Sequence, residues 1–357
     1  LTRGFRPLTR GFRPLTRGFR PLTRGLWTMP STDRPPRHLI RHMSELINQG
    51  SPFTVNQGRD LGFAPGQLRR VYADGLLRRE FRGVYVDARV ADSRRSRLRA
   101  VGLTTPDNAV ICDETAAWVM GLDVFSPGTR HDFEPRMVVR HEGARIVHPG
   151  SRGRQAIIAA DDIDYVDGVH VTTPVRTVSD LLRRMYRPYA LAAADAFAAA
   201  GLIDVDEVSE YVAKLKGYRG IVQARSLAVL IEPRTQSPGE SWQRLRMLDA
   251  GFPPPEPQYE VIDGFGGSNF IDLPYPERLI GTEYDGREFH TDDEHAVHDH
   301  ERRDYLSALF GWRWVIGTRQ RIFGLDTSFE DELGELLGIK PLTRWWGARP
   351  QPTRQRA

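Results

Sequence analysis

The chain is 357 residues long, 40% hydrophobic and 27% charged, with one cysteine and a formal net charge of +4. That length accommodates two or three domains with sizeable cores, and the lone Cys112 excludes an intrachain disulfide or a cysteine-cluster zinc site and fits a reducing cytoplasm. No run of 18 uncharged apolar residues occurs, since Asp195 interrupts the nearest candidate, Ala190 to Ile203; a membrane-spanning class and a membrane partner are therefore not expected. Residues 1–28 carry seven arginines and no acid, so the other 329 sum to −3 and whole-chain basicity is no argument for nucleic-acid binding.

The leader consists of three copies of Leu-Thr-Arg-Gly-Phe-Arg-Pro and a partial fourth. A proline every seventh residue forbids a continuous helix, so residues 1–28 read as a disordered basic extension or a mis-annotated start, with Met29 opening the first ordinary sequence. Leu39 to Gln49 has helical periodicity and stops at Gly50. Thr54 caps a short helix to Leu61, and Pro65 opens another over Gly66 to Asp74, with Gly75 closing it. Leu76–Arg78 and Val84–Val86 then form a hairpin around Glu80-Phe81-Arg82-Gly83. Three helices and a hairpin make a winged helix-turn-helix over 38–90. Leu68, Val71 and Tyr72 would face its core, Gln67, Arg69 and Arg70 would point outward on the reading helix, and Arg78, Arg79 and Arg82 would sit on the wing.

The middle, 91–232, carries no metal-ligand or nucleophile spacing and reads as a connecting or dimerising α/β segment. Arg94–Arg99 is a charged helix or linker, and Asp113–Gly121 a packed helix. Thr173-Pro174 with Arg176 and Asp180 gives a cap, an N1 proline and an i,i+4 ion pair at the start of a helix to Met185.

From Ser237 the order is helix (Glu240–Ala250), strands Gln258–Ile262, Asn269–Leu273 and Leu279–Tyr284, helix Glu294–Leu309 and strand Arg313–Ile316. Asp272 lies at the end of the second strand; Glu283 and Asp285 share one face of the third; Glu240 can reach in from the preceding helix. Converging carboxylates make an oxygen-rich pocket suited to Mg²⁺ or Mn²⁺, which would activate water for phosphodiester hydrolysis. Bland readings stand beside this one. Ser237 and Glu240 form a capping box, and Asp285 before Gly286 suits a turn. His290, His295, His298 and His300 invite a zinc site, but His298 and His300 diverge on a helix and no His-x-x-x-His pair occurs among them.

Ser237-Pro238-Gly239-Glu240-Ser241, Phe270-Ile271-Asp272-Leu273, Gly281-Thr282-Glu283-Tyr284-Asp285-Gly286 and His290, with Arg302-Arg303 and Gly311-Trp312, resemble the very-short-patch-repair-endonuclease-like branch of the PD-(D/E)XK nucleases over 237–325. The resemblance implies a restriction-endonuclease-like fold, metal ligation by Asp272 and Glu283 with Asp285, and His290 as acid/base. Asp285 stands where that family carries a lysine, which leaves no cation to stabilise developing charge. Separately, Phe53–Asp87, Glu114-Thr115-Ala116-Ala117 with Gly121-Leu122, and Thr172–Asp180 resemble AbiEi-type antitoxins over 40–230. That likeness implies an autorepressor that binds DNA and neutralises a nucleotidyltransferase toxin.

The expected fold class is α/β in the α+β sense: a winged helix-turn-helix, an α/β middle, an αβββαβ nuclease-like domain at 233–325 and a helix with basic tail at 326–357. Two functions compete. One is a DNA-binding protein with a Mg-dependent endonuclease-like domain. The other is an antitoxin-like autorepressor whose nuclease fold is inactive.

Overall fold

A computed structural model describes residues 50–60, 63–126, 133–140, 152–263, 266–286, 293–342 and 346. The leader, the helix expected at 39–49, Leu61, His290 and the basic tail lie outside the described residues. The chain divides into two compact units between Asp92 and Ser93.

The first unit contains β1 (Phe53–Thr54), α1 (Val55–Asp60), α2 (Pro65–Ala73), β2 (Leu77–Phe81) and β3 (Val84–Asp87). Thr54 caps α1 as expected: its Oγ1 accepts the Gln57 N–H at 3.1 Å, and Gln57 Oε1 accepts the Thr54 N–H at 2.8 Å. Pro65 starts α2, where its missing N–H is not needed, and Gly75, at φ +72°, takes the left-handed position beyond the end. The strands pair antiparallel in the order β1-β3-β2, over a core of Phe53, Phe63, Leu68, Val71 and Leu77. Two expectations are corrected. The hairpin is tighter than Glu80–Gly83, because Glu80 and Phe81 are buried within β2, leaving Arg82-Gly83 as the turn with Gly83 at φ +85°. Tyr72 is not a core residue; it lies at the surface, its ring 5.9 Å from that of Tyr85.

The second unit opens with α3 (Arg94–Gly102), β4 (Val110–Ile111), α4 (Asp113–Val119), β5 (Arg136–Arg140), β6 (Arg152–Ala156), β7 (Ile163–Val166) and β8 (Val169–Thr172). The strands form a mixed sheet in the order β6-β5-β4-β8-β7. Arg97 is buried and fixes α3 against α4, donating to the Trp118 carbonyl at 2.6 Å with its guanidinium over the indole. Four helices follow: α5 (Pro174–Arg184), α6 (Arg187–Ala199), α7 (Val205–Lys214) and α8 (Ile221–Ala228). The start of α5 is as expected, with Thr173 Oγ1 accepting the Arg176 N–H and Arg176 pairing with Asp180 at 3.0 Å.

The remainder runs α9 (Pro238–Asp249), β9 (Tyr259–Ile262), β10 (Ser268–Ile271), β11 (Ile280–Asp285), α10 (Asp293–Phe310), β12 (Arg313–Thr318), α11 (Arg319–Ile322) and α12 (Ser328–Leu337). The expected αβββαβ order is present from α9 to β12, and the fold is α+β. β9 and β10 form an antiparallel hairpin; β11 and β12 run parallel; a Tyr275–Ile280 bridge leads from the hairpin into β11. Leu191, Phe197 and Leu227 share one core with Trp242, Leu245, Val315 and Phe329, so that core runs across the 232/233 limit read from the sequence. Among the described residues no helix is long and apolar enough to cross a membrane.

Candidate functional site

Two places hold the residues singled out from the sequence. On α2, Leu68 and Val71 are buried, which turns Arg69 and Arg70 outward, where both are exposed. Gln67 is half-buried at the third position of the helix, and its Oε1 accepts the Ala64 N–H at 3.0 Å. Its amide oxygen thus satisfies the backbone N–H of the N-cap residue at the helix start. On β2, Arg78 donates to the Val90 carbonyl and to Glu80, each at 2.6 Å, and so braces the strand. The Arg79 guanidinium lies 5.7 Å from the centre of the Tyr72 ring. Arg82 is exposed at the turn. The surface of this unit therefore presents Arg69, Arg70 and Arg82, together with an Arg79 that stacks on an aromatic ring.

The second place is acidic. Glu240, buried in the first turn of α9, accepts the Gln236 N–H at 2.9 Å and the Gln258 side-chain amide at 3.0 Å, while its own N–H donates to Ser237 Oγ. Ser237 caps the helix as expected, whereas the Glu240 carboxylate accepts from the residue before the cap instead of closing a capping box with Ser237, and also reaches toward β9. Asp272 lies just past the end of β10. Burial raises its carboxyl pKa first, the charges of Glu240 and Glu283 raise it further, and Arg302 and the Tyr284 N–H act the other way; the result is about 8.

Glu283 is buried on β11, facing α10. Arg302 Nη2 lies 2.6 Å from its Oε1 and Arg303 Nη1 3.1 Å from its Oε2. Asp285 follows two residues on, half-buried at the strand end. Thr282 and Tyr284 occupy the opposite face against α9, where Thr282 lies over Met247 and a Cβ on Gly239 would meet the Tyr284 ring at 2.1 Å.

The structure brings both Glu240 and Glu283 within electrostatic reach of Asp272. Among the described residues, however, no group of three or more His, Cys, Asp or Glu side chains is placed to hold a metal ion. With both oxygens of Glu283 taken by guanidinium groups, the set as arranged does not fit a divalent ion. Arg302 and Arg303 are legible in the sequence as part of the helix, but not as partners of Glu283, because the pairing spans 19 and 20 residues.

A third constellation has no sequence signal beyond the helix neighbours Arg176, Asp180 and Arg183. In the middle part Asp180 is enclosed by Arg176, Arg183 and Arg154; Arg154 also holds Asp113 at 3.0 Å; Arg176 and Tyr211 both reach Asp162 at 2.7 Å. Burial opposes the Asp180 charge, yet the three arginines outweigh it and its pKa is lowered. This network ties α4, β6, α5 and α7 together.

Residues 108–230 match the AbiEi antitoxin C-terminal domain family, a narrower stretch than the 40–230 expected. Two curated relatives, the uncharacterized proteins MT2308 and Rv2248 from two strains of Mycobacterium tuberculosis, are each 32% identical over 250 residues, spanning 70% of this chain and 88% of theirs. Among solved structures, the crystal structure of the RV2827C protein from Mycobacterium tuberculosis aligns with a TM-score of 0.31 and 12% identity, over 59% of this chain and 81% of that one.

Proposed function

The chain belongs to the same family as these two mycobacterial proteins and matches the AbiEi antitoxin C-terminal domain at 108–230, and from this we propose that it is an antitoxin-type, DNA-binding transcriptional autorepressor of the cytoplasm. Its protein partner, on this reading, is a nucleotidyltransferase toxin. The observation that carries the proposal is the family match in the middle of the chain. The first unit supports it: α1 and α2 beside the small sheet suit a winged helix-turn-helix, with Arg69 and Arg70 on the outward face of the reading helix and Arg82 at the tip of the wing. Gln67 and Arg79 would contribute at the edge of that surface, and Arg78 would hold the wing in shape.

The test is binding of the full chain to DNA from upstream of its own gene, followed by fluorescence anisotropy at fixed salt. Replacing Arg69 and Arg70 by Ala should cost about 1–3 kcal/mol for each base-reading arginine removed and flatten the preference for that DNA over random sequence. An unchanged affinity would remove α2 as the reading helix.

A second reading, Mg²⁺- or Mn²⁺-dependent phosphodiester hydrolysis by the 233–325 region, is favoured by one observation. Burial, and then the charges of Glu240 and Glu283, push the Asp272 carboxyl to about 8, a cost that a divalent cation would relieve. On this reading Asp272, Glu283 and Asp285 would hold the ion only after Arg302 and Arg303 had released Glu283, and His290 would act as acid/base.

A further inference from the structure

Glu283 is a buried carboxylate whose side chain is only 6% exposed, and two guanidinium groups from successive residues of α10 close over it. Arg302 does more than pair. Its Nη1 donates to the Phe270 carbonyl at 2.8 Å while its Nη2 holds Glu283, so one side chain links α10 to both β10 and β11. Arg303 takes the other carboxylate oxygen. Guanidinium is permanently charged, weakly hydrated and forked, which suits it to a carboxylate withdrawn from water. Two such groups bring more positive charge than the one carboxylate needs. A divalent ion arriving at Glu283 would have to displace both and then sit beside them, unscreened by bulk water.

We propose that the Arg302–Arg303 pair occupies the place at Glu283 that a divalent cation takes in an active nuclease, so that α10 is a built-in plug keeping the acidic cluster metal-free. This rests on the nuclease-like reading of 233–325 and is independent of whether the first unit binds DNA. It gives the regulator reading a mechanism: the fold is kept, and its chemistry is closed off by two charges within the chain.

The test reads metal binding, not cleavage. Thermal unfolding of the full chain is followed with and without Mn²⁺ at matched ionic strength, alongside the electron paramagnetic resonance signal of free Mn²⁺. The wild type should show no Mn²⁺-dependent rise in Tm and no depletion of free Mn²⁺ that depends on Glu283. Arg302→Gln with Arg303→Gln should acquire a rise of several degrees, abolished again when Glu283→Gln is added. Mn²⁺ binding by the wild type that Glu283→Gln abolishes overturns the proposal. So does a folded double variant that acquires no metal binding. Should the double variant fail to fold, Arg303→Gln alone takes its place, and the comparison of wild type with Glu283→Gln still decides. Loss of DNA binding in the Arg69/Arg70 variant leaves this outcome untouched, so the two readings fail separately.

Discussion

Burial, then the charges of Glu240 and Glu283, push the Asp272 carboxyl to about 8, whereas an aspartate in an unfolded chain titrates near ~3.9. Between those values the folded state holds the extra proton. The stability this gives is complete below the unfolded pKa and is lost as pH rises through about 8. Asp272→Asn keeps the shape without the charge, so it should match the wild type near pH ~4 and become progressively more stable than it toward alkaline pH. Urea unfolding across that range checks this, and a difference independent of pH contradicts it. Asp180 runs the opposite way. Its three arginines lower its pKa, so its contribution is present above the unfolded value and is lost as pH falls. Asp180→Asn strips the shared counter-charge from buried Arg176, Arg183 and Arg154 and should cost about 3–5 kcal/mol by chemical denaturation; a loss under about 1 kcal/mol would contradict the network. Arg176–Asp180 and Asp180–Arg183, four and three residues apart on one helix, are local pairs, the first of which is the pair expected from the sequence. Arg154 meets Asp180 and Asp113 across 26 and 41 residues, a distance that only the folded sheet closes.

Elements with strong ends are readable from the sequence: α5 with its Thr-Pro start, α9 with its Ser-Pro-Gly-Glu start, and β12 between Gly311 and the cap Thr318, which differs from expectation only in running two residues further. The wing hairpin is not, because Glu80 looks like a turn residue. In the fold it is buried in β2 and neutralised by Arg78, a pairing that local pattern does not show. Tyr72 departs from expectation for a related reason. The buried face of the short α2 is covered by Leu68 and Val71, and the tyrosine at its edge meets Tyr85 edge to face and lies under the Arg79 guanidinium instead. Two glycines give opposite predictions. Gly239 lets the start of α9 rest on β11; an added Cβ would meet the Tyr284 ring at 2.1 Å, so Gly239→Ala should destabilise by about 1–3 kcal/mol. Gly66, in α2, has nothing within 4 Å of the same position, so Gly66→Ala should stabilise by about 0.4–1 kcal/mol. Thermal unfolding of both variants measures these, and equal effects would contradict the packing described for α9.

Across the whole molecule, charge is the thread that joins the parts. Outside the leader the chain sums to slightly negative, and in the second unit many arginines are engaged by internal carboxylates: Arg154, Arg176, Arg183, Arg187, Arg244, Arg246, Arg302 and Arg303 each pair with Asp or Glu. On the first unit Arg69 and Arg70 lie exposed, where a phosphate or a base edge can meet them. The acids of the candidate site are visible in the sequence because Asp and Glu are out of place on strands. Their neutralisation is not, because it depends on how α10 lies over β11. On the proposed reading the chain is a DNA-binding regulator whose 233–325 region is closed to metal ions. That reading is tested most directly by incubating the full chain with Mn²⁺ and a supercoiled plasmid carrying the DNA upstream of its gene. The account predicts a retarded plasmid that remains supercoiled when the protein is removed; nicked or linear product that requires Mn²⁺ and disappears in Asp272→Asn and Glu283→Gln would contradict it.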